Sequence, residues 1–454
     1  MLNKALSWLI ILLPLALPLY VVRFEIGSLP TTLLEVYLLL LLLTCILSFL
    51  RPSDPSSKSP AIRNLSGVLQ EVRQKIGAWF WPLICWLVVT LVAVFVATDS
   101  WGALGHWRAF ILEPVMIFVL LLTYKPITTK VDVLRNIFYS IAGVTILLGV
   151  YSIVQYLTGW GIPSPWDAWN GRRSTGVFGY PNGLSLFIVP FGVVSFIKLL
   201  EIANEKYAQI MNGKSILFLV ATICAGIATT LAKSMGGILA FGIGVVLTLV
   251  LFKKTRIVGI VLMVIGLLGA GMVAWQIYGT ELHPQTIEDS LAASKKWSSS
   301  VRVIIWKESW EIIKGHPILG TGLRSYKTAL IPYHQATWME IFPHPHNIFL
   351  MLWIETGLLG LLAFIWLIGT WATSVIRPTP QSSHVNGAND AGRARRDILR
   401  YVWLIPLIVI LTHGMVDMPY FKNDLAVQFF LLAAIATLAS RHPELSSESN
   451  QNKV

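Results

Sequence analysis

Residues 348–376 read IFLMLWIETGLLGLLAFIWLIGTWATSVI, and Glu355 is the one charged residue among them. A helix rises about 1.5 Å per residue, so about 20 apolar residues cross the roughly 30 Å hydrocarbon layer of a bilayer. Backbone amides in lipid find no water to bond, and the helix is the form in which such a run satisfies them internally. Similar runs, several of them shorter, occupy 5–22, 31–50, 79–97, 107–124, 134–157, 183–200, 215–232, 235–252, 257–279, 401–417 and 425–440. The chain is 55% hydrophobic and 13% charged, where a soluble domain carries about 25% charged residues. The sequence therefore predicts an all-α polytopic membrane protein with about twelve spans and excludes a soluble helical bundle. The first run reads as a span and not as a cleaved leader, because it lacks a small-x-small cleavage site and another span follows closely.

Charge predicts the orientation. With 35 basic and 23 acidic residues the formal net charge is +12. Lys4, Arg51 to Lys75, Lys125 to Arg135, Lys198 to Lys214, Lys253 to Arg256, Arg377 to Arg400, Arg441 and Lys453 fall on one side of the alternation. The short loops of the other side carry Arg23, Arg108, Arg172, Arg173, Lys233 and Lys422. The positive-inside rule makes the first set cytoplasmic, together with both termini. The basic balance thus reports topology, and no nucleic-acid partner is expected. Cys45, Cys85 and Cys224 all lie within apolar runs, which leaves no disulfide framework and no cysteine-based metal site.

Between the spans, a membrane-embedded domain over 1–440 is expected to end in a polar cytoplasmic tail, 441–454. The linkers 51–78 and 377–400 are basic, and 65–76 has apolar residues near helical spacing, suited to the inner leaflet. Two connections on the opposite side are long: 158–182, and 280–347 with five of the nine histidines, His283, His316, His334, His344 and His346. In the second, Val301, Ile304, Ile305, Ile312 and Ile313 form one helical stripe near Trp297, Trp306 and Trp310, an amphipathic helix suited to the bilayer surface. Gly315-His316-Pro317 ends that helix, and Gly320-Thr321-Gly322 reads as a turn.

The stretch Pro343 to Gly360 holds the chemistry. Pro345 breaks what precedes, His346 stands at the boundary, and Asn347 is a natural N-cap for the span that follows. Gly357 and Gly360 offer a small face for helix packing. The positive end of the helix dipole disfavours imidazolium, so His346 would be held as a neutral base, and the same helix end would accept an anionic phosphate. A second reading stands beside this one, in which His344 and His346 cap and solvate an interfacial helix end. Zinc is the weaker alternative, since no third ligand has a readable spacing. Glu35, Glu113, Glu355 and Asp417 lie in or at the ends of apolar runs. Glu113 reads as buried in the bundle. Glu355, about 13 Å deeper than His346 along a helix, is too far for direct partnership with it and is assigned a structural or interhelical role.

His346-Asn347, nine residues, and Gly357-x-x-Gly360 resemble the histidine motif of O-antigen ligases and related lipid-linked glycan polymerases. Arg302-x-x-x-Trp306 followed by His316-Pro317-Ile318-Leu319-Gly320-Thr321-Gly322 resembles the outer-loop segment of that family. Arg173-Ser174-Thr175-Gly176-Val177-Phe178-Gly179-Tyr180-Pro181-Asn182 resembles a third motif. These matches run from roughly 170 to 360, in order and on one side of the membrane. Where the family has Ser-Arg-Gly after the span ending near 232, this chain reads Lys233-Ser234-Met235-Gly236. Lys233 is the candidate substitute, a point charge in place of a bidentate fork.

The resemblance implies a helical membrane fold of the C-type glycosyltransferase kind, in the bacterial cytoplasmic membrane. It implies a glycan donor on a polyprenyl diphosphate, a glycan, lipid or protein acceptor, and an active site built by the outer loops 158–182 and 280–347. His346 would deprotonate the acceptor, and transfer would invert the sugar carbon. No Asp-x-Asp motif is present, so Arg302, Lys233 and Arg173 would carry the diphosphate charge without metal or other cofactor. Asn182, His344 and Asn347 complete the substrate-binding candidates. A polysaccharide or lipid transporter, and a non-catalytic carrier-binding relative, are the alternatives. No repeated halves are visible, and the His-bearing and charged features gather at the outer loops, which favours the enzyme over the transporter.

Overall fold

A computed structural model describes residues 2–27, 29–50, 65–124, 131–205, 213–279, 297–335, 339–377 and 400–441. The expectations for 51–64, 280–296 with His283, the linker 378–399 and the tail beyond Arg441 lie outside the described residues. Among those described, eight helices are long and apolar enough to cross a membrane. They include Leu69–Val96, Val133–Thr158, Pro181–Asn204, Ile348–Ile376 and Asn423–Arg441. Four shorter apolar helices, Leu33–Ser48, Met235–Leu251, Arg256–Met272 and Val402–Gly414, stand at the other predicted runs. One small departure from all-helix is an antiparallel hairpin, β1 (Arg23–Ile26) with β2 (Leu29–Thr32), in which Arg23 pairs with Thr32 and Ile26 with Leu29.

The last helix, Asn423–Arg441, is the core of the bundle: every residue from Asn423 to Ser440 is buried. Its sequence explains this, because Ala433, Ala434, Ala436, Ala439 and Ser440 keep its surface small and let neighbours approach. Close approach recurs elsewhere. A Cβ on Gly192 would stand 2.3 Å from that of Ala225, so the helices Pro181–Glu205 and Gly213–Leu231 meet nearly backbone to backbone.

Two intramembrane acids, Glu35 and Glu113, share one cation. Arg108, on a π-helical turn over Arg108–Leu112, reaches Glu35 at 3.0 Å and Glu113 at 3.4 Å. Thr31 Oγ1 also donates to Glu35. Glu113 is buried as expected, and its companion is a cation that alternation had placed in a short loop.

Side-chain contacts sort the loops into two groups at opposite ends of the bundle. At one end Tyr124 donates to the Asn3 carbonyl, Lys75 to that of Thr123, and Arg441 to those of Lys75 and Ile76. At the other, Arg173, Asn182, Asn347 and Asp417 meet.

Two local expectations are corrected. The stripe Val301, Ile305, Ile312 and Ile313 faces protein: these residues are buried against Met339, Tyr326, Leu330, Met351, Ile354 and Met418. Only the flank with Val303 and Trp310 is exposed. The helix Trp297–Gly315 is therefore docked on the bundle, because residues 326–330 and the helix after Asn347 supply the apolar surface its stripe needs. The second correction concerns Gly357, which breaks its helix at φ 68°, ψ −175°. The carbonyl of Pro317 accepts from Leu358 N, and Thr321 N donates to Ile354 O. The break thus seats the loop 317–321, and helix packing is not what Gly357 serves. Gly320-Thr321-Gly322 is the predicted turn, with both glycines at positive φ. Glu355 has the structural role expected, accepting from Tyr326 N in the docked loop.

A clip holds the far side of the docked helix: His334 contacts Glu308 Oε2 at 3.1 Å and the Met339 carbonyl at 2.9 Å. Burial lowers the His334 pKa, but the hydrogen bonds to Glu308 and Met339 outweigh it and raise the value above 6.5. A raised folded-state pKa stabilises fully below the unfolded value and loses that contribution as pH climbs through the folded one. Hydrogen exchange in 331–335 is therefore expected to accelerate as pH rises above the ordinary histidine range, beyond the intrinsic pH effect. His334→Gln should flatten that excess; an unchanged excess in the variant would contradict the assignment.

Candidate active site

The site grows from one helix start. Asn347 caps the helix Ile348–Ile376 as predicted, its Oδ1 accepting from Phe349 N and Leu350 N. Its Nδ2 donates to the Met415 carbonyl. These three bonds position the segment before it. Trp306 Nε1 donates to the Pro345 carbonyl at 2.9 Å, tying the same segment to the helix that carries Arg302. Held between them, His346 adopts φ +52°. A non-glycine residue in the left-handed region costs of order 1–3 kcal/mol and persists only where its surroundings impose it.

His346 Nδ1 stands 3.5 Å from Oδ1 of Asp417, whose side chain is 3% exposed. His344 packs its ring edge-on against His346, with centroids 4.4 Å apart. Burial, with the neighbouring His346 in support, lowers the His344 pKa to about 4, so this imidazole is neutral at pH 7. Burial alone would raise Asp417, but the contact with His346 outweighs it and holds the carboxyl well below the usual carboxylate range. Asp417 is thus an anion beside two imidazoles.

The carboxylate links this corner to the second motif. Asn182 Nδ2 donates to Asp417 Oδ2 at 2.6 Å, and Asn182 Oδ1 accepts from Arg173 Nη2 at 3.1 Å. Arg173 also donates to the carbonyls of Ala232 (2.8 Å) and Lys233 (3.3 Å) and stacks over Trp166, 4.9 Å from the ring centre. Lys233 itself is exposed at φ +51°. It is the second non-glycine residue of the site in the left-handed region. Met235, at the place where the resemblance calls for arginine, is 76% exposed. Arg302 lies close enough for its charge to act on Arg173.

The structure therefore joins His344, His346, Asn182 and Arg173 through contacts that run by way of Asp417, with Asn347 beside His346 in the chain, the Lys233 backbone clasped by Arg173 and Arg302 in electrostatic range. Sequence reasoning missed Asp417 as a member. It was visible as an acid at the end of an apolar run, but its partner Asn182 is far off in the chain, and only the fold pairs them. Lys422 was also missed. Its Nζ donates to Tyr20 Oη at 2.8 Å and sits 4.1 Å from the Tyr180 ring centre. Burial pulls this ammonium down to about 8, with Asp424 pulling the other way.

His344, His346 and Asp417 offer donor atoms within 4.8 Å of one another. This supplies the third ligand that the sequence spacing did not reveal. An anion-lined base beside several cations is suited to moving a proton from a hydroxyl while an anionic group departs.

Comparison with known proteins finds a family match over part of this region. Residues 220–365 match the O-antigen ligase family model. A Rickettsia conorii protein carrying the name "Putative polysaccharide ligase" is 29% identical over 163 residues, 35% of this chain and 39% of that protein. Relatives of the same name from Rickettsia felis and Rickettsia bellii are 26% and 23% identical over 43% and 42% of the chain. The chain spans about half or less of each relative's length, 46% and 52% for the latter two. Lys233, Arg302, His344 and His346 fall inside the family match, while Arg173, Asn182 and Asp417 fall outside it.

Proposed function

We propose, on the premise that this chain is O-antigen ligase-like over residues 220–365, that it transfers glycan from a polyprenyl-diphosphate carrier to an acceptor hydroxyl at the outer face of the cytoplasmic membrane. The observation that carries the reading is the His346–Asp417 contact at 3.5 Å, at a helix start imposed on strained backbone. Asp417 orients His346 so that Nδ1 holds its proton toward the carboxylate and Nε2 is left as the base. His346 takes the acceptor's proton as the hydroxyl oxygen attacks the sugar C1. The C1–O bond to the diphosphate breaks, its electron pair leaves on the diphosphate, and the anomeric carbon inverts. Arg302, Arg173 and Lys233 stabilise the departing charge where it develops. No metal is needed for these steps. His344 and Asn347 shape and hold the base, and Asn182 couples Arg173 to Asp417.

The test separates the cations. Arg302→Lys retains charge and loses the bidentate fork; Arg302→Gln loses both. Release of polyprenyl diphosphate from a lipid-linked donor is expected to fall about 10²–10³-fold in Arg302→Gln, the cost of removing one transition-state donor, and less in Arg302→Lys. Equal, near-native rates in both variants would remove Arg302 from the mechanism. A transporter would cross the bilayer with an intact donor, so diphosphate release also separates that alternative.

A further inference from the structure

The 3.5 Å gap between His346 Nδ1 and Asp417 Oδ1 is longer than an N–H···O bond of about 2.7–3.2 Å. Nδ1 of His344 and Nδ1 of His346 are both buried and make no hydrogen bond among the described residues. Buried polar atoms of this kind call for a bound species. The donor atoms of His344, His346 and Asp417 all lie within 4.8 Å of one another.

We propose that these three side chains bind one transition-metal dication of the zinc class, and that the bound ion switches transfer off by occupying His346. Zinc bonds of about 2.0–2.2 Å at tetrahedral angles set neighbouring donors about 3.3–3.5 Å apart. The His346–Asp417 pair already has that spacing, and His344 closes the remainder by a side-chain rotation. Two imidazoles and one carboxylate suit zinc, cobalt or nickel, whereas magnesium and calcium take oxygen donors. Asp417 is held for the purpose, its Oδ2 by Asn182 Nδ2 at 2.6 Å and its Oδ1 by Met418 N at 2.9 Å. Such outer contacts orient a ligand toward its ion. Arg173 and Lys422 place positive charge on the same wall, so binding depends on the Asp417 anion. In this account the gap holds a proton when the base works and a dication when it does not. The inhibitory half rests on the proposed role of His346; the binding half does not.

The experiment uses full-length protein without a histidine tag, stripped with chelator in detergent and titrated with Co²⁺. Visible d–d absorption should saturate at one equivalent and be displaced by Zn²⁺. His344→Ala, His344→Gln and Asp417→Asn, each confirmed monodisperse, should lose the band, and Asn182→Ala should weaken binding about 10–100-fold. Transfer by stripped wild type should fall as Zn²⁺ fills the site, with the same midpoint, and return with chelator. A missing band, or a band that survives the substitutions, would overturn the site. A stripped enzyme that needs zinc for activity would overturn the inhibitory role. Binding as described in a protein inactive under every condition would overturn the inhibitory half along with the transferase reading, and leave the ion site standing.

Discussion

His346→Ala is expected to lower glycan transfer by about 10²–10⁴-fold, the usual contribution of a positioned general base, at unchanged protein level in the membrane. The physical case has three parts. The imidazole sits at a helix start whose backbone is tied on both sides, by Asn347 to the Met415 carbonyl and by Trp306 to that of Pro345. Its Nδ1 faces a carboxylate held anionic. Its φ of +52° is imposed by those contacts. Alanine changes backbone cost and chemistry together, so His346→Asn is the companion: asparagine tolerates the left-handed region far better but is no base. Loss in both variants is the expected result. Activity restored by asparagine would mean that the position serves conformation alone. Asp417→Asn should also lose most activity, with the pH dependence of the remainder displaced, because the neutral amide no longer holds the imidazole proton.

Gly357→Ala is expected to be as damaging, by a different route. At φ 68° and ψ −175° the residue occupies a region essentially reserved for glycine, where another residue pays about 1–3 kcal/mol in backbone strain alone. The added Cβ would also stand 1.9 Å from the Ile318 carbonyl oxygen and 2.6 Å from the Leu319 carbonyl carbon. The loop 317–321 would have to lift from the helix, taking with it the bonds Leu358 N to Pro317 O and Thr321 N to Ile354 O. That loop connects directly to the helix Trp297–Gly315, which carries Arg302. The variant should show reduced accumulation or a protease-sensitive 317–321 loop, and transfer should fall in the fraction that folds. Gly360→Ala tests position rather than residue type. There a Cβ would stand 1.9 Å from Oγ1 and 2.3 Å from Cβ of Thr356; only Oγ1 can rotate away, so the helix itself must shift, but the loop 317–321 is not touched. A 317–321 loop equally protease-sensitive in both variants would contradict the seating of that loop by Gly357.

The helices were legible because apolar length is a local property of the chain. The N-cap at Asn347, the stop at Gly315-His316-Pro317 and the turn at Gly320-Thr321-Gly322 were legible for the same reason: capping and turn chemistry act over a few residues. What lay hidden depended on partners far away. The stripe Val301 to Ile313 carries the pattern of a surface helix whether it meets lipid or protein, and only the fold decides that Tyr326, Leu330, Met351 and Ile354 cover its later part. Gly357 and Gly360 look alike in sequence, yet one breaks a helix to admit a loop. Asp417 and Asn182 meet at 2.6 Å from opposite parts of the chain, and no spacing rule joins them. Lys233 and His346 stood out by type and position; their shared positive φ is information that sequence does not carry.

The central claim is that this O-antigen ligase-like chain breaks the sugar–diphosphate bond of a lipid-linked donor and passes the glycan on with inversion. Purified protein in proteoliposomes, given a lipid-linked donor of defined anomeric configuration and a native acceptor, measures this directly. The account predicts one polyprenyl diphosphate released per glycosidic bond formed, and an inverted anomeric carbon in the product by NMR. Retention of configuration would contradict the single-displacement mechanism. Donor crossing the bilayer intact, with no diphosphate released, would contradict the transferase itself.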